Sequence, residues 1–386
     1  MQNTNKSIKQ LIRNWLIVSV LGATSVGCFA EDIVIGQVAS MTGSNGADLG
    51  QGLQVGLRVA IAQANEVGGI AGRKLRLAVR DDKYIPEETV RLTQELLDQE
   101  SPIALAGYRG TANTLALVKS DLLKQAGIPL VGTLTGAGEL QGAVNIFHVR
   151  TSYRDEISQI VGQLSRMSAS KIGLFYVDDA FGQAGRDALE KALAAQGTKA
   201  AAIAAYNKAP EKVKETIDAA VETLVTAAPQ AIVMVAVGEP VYEFVKRIRA
   251  RLPSTRLVSL SVVDSGVMVA KVGIQTARGI GFSQVFPYPY NDTVKLVREY
   301  RIQLLKHGGG VTPNYFNLEG YISGRVLIDA LRRSGPNPTR QRLIEALNKQ
   351  GEINLEGFFL KFDPQTHNGS HFTELTVISR DGRLMR

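Results

Sequence analysis

The 386 residues carry 44 basic and 36 acidic side chains, a net charge of +8, with 45% hydrophobic residues, four histidines and one cysteine. Such a balance fits one or two globular domains and excludes disorder and a disulfide scaffold. No dense Lys/Arg block with interleaved aromatics occurs, which argues against nucleic acid as a partner.

The chain opens with Lys6, Lys9 and Arg13 and no acid, then the apolar run Trp15 to Val26, then Cys28-Phe29-Ala30. This order describes a signal peptide over residues 1–30, cleaved after Ala30, and hence a periplasmic protein; the run is short for a membrane span. Cys28 is an alternative lipid acceptor, but a strand beginning at Ile33 leaves little tether. Loss of the leader removes three basic residues and the only thiol, lowering the net charge to +5.

Beyond the leader, strand and helix patterns alternate. Ile33 to Val38 reads as a buried strand and Ala47 to Asn65 as a helix with Leu53, Leu57, Ala60, Ile61 and Ala64 on one face. Glycines at 68, 69 and 72 stop that helix. Leu75 to Val79 is a second strand, Pro86 opens a helix through Leu97, and Ile103 to Ala106 and Ile128 to Val131 are the third and fourth strands. Ile146 to Val149 follows, then a helix from Tyr153 to Met167, a strand Ile172 to Val177 and a helix from Ala180 to Ala195. Further strands fall at Ile203 to Tyr206, Ile232 to Val237, Leu257 to Leu260 and Ile280 to Val285, with helices near 211–226, 240–251 and 263–271. These are too many strands for one compact parallel sheet, so the expected class is α/β with two doubly wound lobes.

The loop Gly107-Tyr108-Arg109-Gly110-Thr111 joins the third strand to a helix beginning near Ala112. Backbone N–H groups at a helix start, together with the Thr111 hydroxyl, make a site for a carboxylate. Thr111 acting only as a helix cap is the other reading. Arg109 adds a fork that matches a carboxylate, unless it points to solvent or pairs with an acid. Other chemistry is weakly marked. His367 and His371 flank Gly369 in a turn rather than a metal-bearing helix, no P-loop or GxSxG is present, and no catalytic set, metal site or cofactor is nominated.

Ile35-Gly-Gln-Val-Ala-Ser-Met-Thr-Gly, Asn65-Glu-Val-Gly-Gly-Ile-Ala-Gly-Arg-Lys-Leu, Gln125-Ala-Gly-Ile-Pro-Leu-Val, Lys171-Ile-Gly-Leu-Phe-Tyr-Val-Asp-Asp-Ala-Phe-Gly and Leu360-Lys-Phe-Asp-Pro resemble the type I periplasmic binding proteins of the leucine/isoleucine/valine-binding family. The resemblance implies a monomeric, non-enzymatic receptor that delivers a small ligand to the permease of an ABC importer. It also implies two lobes joined by a three-strand hinge, with lobe I at 31–151 plus 281–351 and lobe II at 152–280 plus 352–386.

The same resemblance places a carboxylate loop on Gly107 to Thr111 and a second loop, supplying a hydroxyl and main-chain groups, on Thr133-Leu134-Thr135-Gly136-Ala137. It puts an apolar wall at Leu49, an aromatic at Phe181 and the lobe junction beside Tyr153. Tyr84 and Gly110 stand where some relatives have a disulfide. The glutamate that receives an amino acid's ammonium falls near Ser261, with Asp264 as either a substitute or a helix cap. An ammonium without a carboxylate costs several kcal/mol, so these residues point to a carboxylate ligand, aromatic or an amino-acid derivative. A branched-chain amino acid and a sensory receptor are the alternatives, and an enzyme on this scaffold lacks a nominated acid–base pair.

Overall fold

The structure is a computed structural model, and it describes residues 31–43, 46–349 and 351–386. The expected leader and Cys28 lie outside the described residues, as do Ser44 and Asn45 of the first loop. No helix among the described residues is long and apolar enough to cross a membrane.

Two sheets organise the chain from Asp32 onward. The first holds β1 (Ile33–Ala39), β2 (Leu75–Asp81), β3 (Ala104–Ala106), β4 (Leu130–Val131) and β5 (Ile146–Phe147), all parallel in the order β2-β1-β3-β4-β5. Alternation along β1 sends Ile33 and Ile35 to one face and Val34 and Val38 to the other. The first face packs on α1 (Ala47–Glu66), and the second on α2 (Pro86–Glu100), α3 (Thr111–Lys119) and α4 (Leu122–Gln125).

The second sheet contains β6 (Ile172–Val177), β7 (Ala202–Tyr206), β8 (Ala231–Val235), β9 (Arg256–Ser259) and β10 (Gly281–Gln284) as parallel strands. Helices α5 (Tyr153–Arg166), α6 (Ala180–Ala194), α7 (Val213–Ala227), α8 (Glu239–Arg251), α9 (Ser265–Val272) and α10 (Ile274–Ala277) alternate with them. Two strands near the end of the chain, β13 (Glu374–Ile378) and β14 (Leu384–Met385), extend this sheet antiparallel, a departure from the all-parallel expectation.

Helices α11 (Lys295–His307), α12 (Tyr315–Arg333) and α13 (Arg340–Asn348), with the hairpin β11 (Ile353–Asn354) and β12 (Phe359–Leu360), complete the first lobe. Helix α12 lies unusually close to α1, through Gly52 and Gly56 on one side and Gly320 and Gly324 on the other. A Cβ built on Gly56 would stand 2.0 Å from the Asn317 carbonyl oxygen.

Two lobe boundaries differ from those expected. Gly281 pairs with β9 and β13, so the chain stays in the second lobe through Gln284, and Val285 and Phe286 are the first to join the first lobe's core. The hairpin and Phe362 pack in that same core, so the last crossing falls near Phe372 rather than Gly351. The first and last crossings meet where the Thr151 hydroxyl donates to the Phe372 carbonyl at 2.6 Å and Gln159 donates to the Thr373 carbonyl at 3.2 Å.

Candidate functional site

Both sheets share one strand order: β7-β6-β8-β9-β10 repeats β2-β1-β3-β4-β5. Each therefore has a switch point where successive crossovers run to opposite sides, and the loops there diverge to leave a crevice at the carboxyl ends of the strands. The crevices face each other. Leu49, Tyr84, Arg109, Gly110, Thr111 and Leu134 line the space from the first lobe, and Tyr153, Phe181, Val237 and Val262 close it from the second.

Two loops of the first lobe are fixed to each other. The Leu134 N–H donates to the Tyr108 carbonyl at 2.8 Å, prolonging the β3–β4 pairing past the strand ends. This alignment brings the Thr111 and Thr135 hydroxyls to 2.7 Å. Thr111 makes no capping hydrogen bond; it is the first residue of α3, with its hydroxyl turned to the neighbouring loop. Thr135 thus links the two expected hydroxyl loops; burial raises the pKa of the Tyr153 phenol at the lobe junction, and Arg150 and the Thr135 hydroxyl work in the other direction.

Arg109 is 2% exposed, donates to the Ser40 hydroxyl and lies 4.2 Å from the centre of the Tyr84 ring. Burial lowers the pKa of its guanidinium, and the attraction of Tyr84, Asp48 and Asp82 works in the other direction. Lys208 of the second lobe reaches the same ring at 5.2 Å and pairs with Asp179 at 2.7 Å, so Tyr84 carries a cation from each lobe. Tyr84 is held by a turn in which both Lys83 (φ 52°) and Tyr84 (φ 64°) are left-handed. Such backbone is costly for side-chain-bearing residues. Asp82, fully buried, fixes it by accepting from the Tyr84 N–H at 2.9 Å and the Thr89 hydroxyl at 2.7 Å. Gly110 (φ 96°) leaves room for this ring, since a Cβ there would meet Tyr84 Cε2 at 2.6 Å.

The apolar wall comes from Leu49, Leu134, Val237 and Val262, with Tyr153 and Phe181 at 5.3 Å between ring centres. Leu49, Leu53 and Leu134 of the first lobe pack in one cluster with Tyr153 and Phe181 of the second, so the cleft is closed. Its cavity measures about 10 Å³, on the threshold of holding one water. A larger solute enters only when the lobes part or the wall side chains move.

Five of the expected residues do not line the cavity: Thr135 meets it only through the Thr111 hydroxyl, and four others stand further away. Tyr108 is buried on the far face of the first sheet, its phenol 3.0 Å from the Thr93 hydroxyl. Thr133 bonds His148 Nδ1 at 3.1 Å. Since His148 Nε2 faces the Leu140 carbonyl at 3.1 Å, it is Nε2 that carries the proton and Nδ1 that accepts from Thr133. Burial brings this imidazole down to about 4. Asp264 caps α9, accepting from the Gly266 and Val267 N–H groups at 2.7 and 3.0 Å. Ser261 is 5% exposed, accepts from Arg150 and donates its hydroxyl to Glu156 Oε1 at 3.0 Å.

Tyr84, Val237 and Val262 escape the sequence reading. The valines lie just past apolar strands and look like core, and only the switch-point geometry turns them toward the cleft. Tyr84 had a signal in its replacement of a disulfide position beside Arg109. The histidines at 367 and 371 serve separately, His367 stacked on Phe147 at 4.8 Å and His371 3.0 Å from Asp155. Phe286 packs on Phe358 in the first lobe's core, and Tyr288 sits between Tyr290 and Tyr315, outside the cavity.

Donors, hydroxyls and apolar walls converging between two lobes define a clamp for a small solute. The chain belongs to the periplasmic binding protein family, whose sequence profile matches residues 32–383, and its two-lobe fold is that of the type I members. Members of this family are substrate-binding proteins and act outside the cytoplasm. It is 24% identical over 339 residues to an amino acid binding protein of Pseudomonas aeruginosa, covering 85% of this chain and 86% of that one. A substrate-binding periplasmic protein from Ralstonia solanacearum superposes with a TM-score of 0.86 at 32% identity, over 92% of this chain and 99% of that one. A branched-chain amino acid ABC transporter protein from Thermus thermophilus, solved with bound valine, shares the fold with a TM-score of 0.78 at 19% identity, over 92% of this chain and 94% of that one.

Proposed function

We propose that this protein delivers a small carboxylate with an apolar or aromatic body to an ABC importer. The observation that carries this reading is the composition of the cavity wall, which holds Arg109, Gly110 and Thr111 but no Asp or Glu among its lining residues. A carboxylate finds charge-assisted donors there, while an ammonium enclosed in the same wall finds no counter-charge. Glu156, the carboxylate nearest Ser261, is sealed behind it and committed to Ser261 and Ser283. The hydroxyl chain and aromatic pair fit a ligand whose acid end lies at α3 and whose body lies against Leu49 and Phe181.

A second reading rests on the relative named as an amino acid binding protein and the neighbour holding valine. Matched pairs separate the two: leucine against 4-methylpentanoate, and phenylalanine against 3-phenylpropanoate. Each pair differs only in the amino group. Binding at about a hundredfold above the dissociation constant stabilises the fold by about 2.7 kcal/mol, visible as a raised melting temperature. Stabilisation by the amino acids and not by their des-amino partners would overturn the carboxylate reading. Chemical conversion of the bound compound would overturn the receptor reading altogether.

A further inference from the structure

Beside the hinge, and apart from the cavity, lies a buried cluster that solute recognition does not use. Arg150, between β5 and the first crossing, is 1% exposed. Its Nη2 donates to Ser261, its nearest approach to Glu156 of α5 is 3.8 Å, and its Nη1 stands 3.8 Å from Glu319 Oε1 of α12. Glu156 is saturated: it accepts from the Ser261 N–H at 3.0 Å, the Ser261 hydroxyl and the Ser283 hydroxyl. Glu319 is not. Its Oε1 has no hydrogen-bond partner among the described residues, nor have Arg150 Nε and Nη1, and 3.8 Å is too long for a hydrogen bond.

One guanidinium thus faces two carboxylates in a region closed to solvent, and only one of them is well held. Glu156, Ser261 and Ser283 belong to the second lobe, and Glu319 to the first. Separation of the lobes pulls Glu319, with Arg150 on the same lobe, away from the Ser261–Glu156 group and lets water reach it. Water favours the ionised carboxylate, and the closed, dry cluster favours the neutral acid.

We propose that Glu319 holds a proton when the clamp is closed and releases it when the clamp opens, so that closure weakens as the medium becomes alkaline. Burial raises the Glu319 carboxyl to about 7 in the closed form, Arg150 pulls it down and Glu156 pushes it up again. These two are the charged groups that act on it: Arg150 from the chain after β5 and Glu156 from α5. The elements packed on α12, namely α1, α11, α13 and β4, add none. His148 and the Tyr153 phenol interact electrostatically with Arg150, and neither acts on Glu319. Closed and open forms therefore differ in proton affinity mainly between the ordinary glutamate range and about 7. Across that window the closed-to-open ratio falls as pH rises.

The test needs no solute. Helices α3 and α6 touch across the cleft, and the chain without its leader has no cysteine, so Lys119→Cys with Asp187→Cys places one spin label on each lobe. Distance distributions are measured by pulsed electron resonance from pH 5 to pH 7.5. The expected result is a fall of about tenfold or more in the closed-to-open ratio over this range, and a ratio that no longer changes with pH in Glu319→Gln. A pH-independent ratio in the parent double-cysteine protein overturns the proposal, whatever the variant does. A dependence that persists unchanged in Glu319→Gln overturns the assignment to this residue.

Discussion

Glu319→Gln also makes a prediction about global stability, and its size follows from two buried groups with opposite pH behaviour. A glutamate raised from 4.5 to about 7 binds its proton more tightly in the native state than in the unfolded chain. Its contribution is fully present below pH 4.5 and is lost as pH rises through 7, a change of about 3 kcal/mol. His148 runs the other way. Lowered from 6.5 to about 4 by burial, it contributes stability above pH 6.5 that is lost as pH falls through 4, again about 3 kcal/mol. In the parent the two offset each other between pH 4.5 and 7. Glutamine removes one of them and leaves the other. Relative to the parent, Glu319→Gln should therefore gain about 3 kcal/mol on going from pH 4.5 to pH 7.5, while its own stability drops on acidification. Urea unfolding of both proteins at the two pH values measures this difference, in which His148 and every exposed carboxylate cancel. A parent–variant difference that is the same at both pH values, within about 0.5 kcal/mol, would refute the buried-acid reasoning.

Thr111→Ala combined with Arg109→Ala should abolish binding of the solute found by matched-pair screening while the circular dichroism spectrum is kept; unchanged affinity removes both residues from the site. Tyr84→Leu takes away the ring on which Arg109 lies at 4.2 Å, and calorimetry should show affinity weakened by about 2- to 30-fold, the worth of one such contact. Thr133→Val should leave affinity unaltered and lower stability by about 1 kcal/mol, since its hydroxyl serves His148 rather than the cleft. Gly56→Ala forces a Cβ onto the Asn317 carbonyl and should cost about 2–3 kcal/mol in urea unfolding; a loss below about 0.5 kcal/mol would refute so close an approach of α1 and α12.

The period of hydrophobic residues specifies which segments are strands and which are helices, because burial against a sheet or a helix is a local demand on every second or every third and fourth residue. The loop from Gly107 to Thr111 was legible for the same reason: a short apolar strand, two glycines and a threonine before a helix describe a donor-rich turn without reference to the rest of the chain. Sequence therefore determined the α/β class and the doubly wound lobes.

Neighbours far apart in the chain decided the remainder. Whether Gly281 belongs to one lobe or the other depends on its pairing with Val258 and Val377, and no local pattern encodes that choice. Thr133 and Thr135 differ by two residues in an irregular loop, yet one faces His148 and the other Thr111. Arg109 is read from the sequence as an anion fork, but its orientation comes from Tyr84, carried on a strained turn after a different strand. Glu156, Arg150 and Glu319 are unremarkable charges in the sequence; the fold brings them together beside the hinge, and burial there, through the energy of removing charge from water, raises the Glu319 carboxyl.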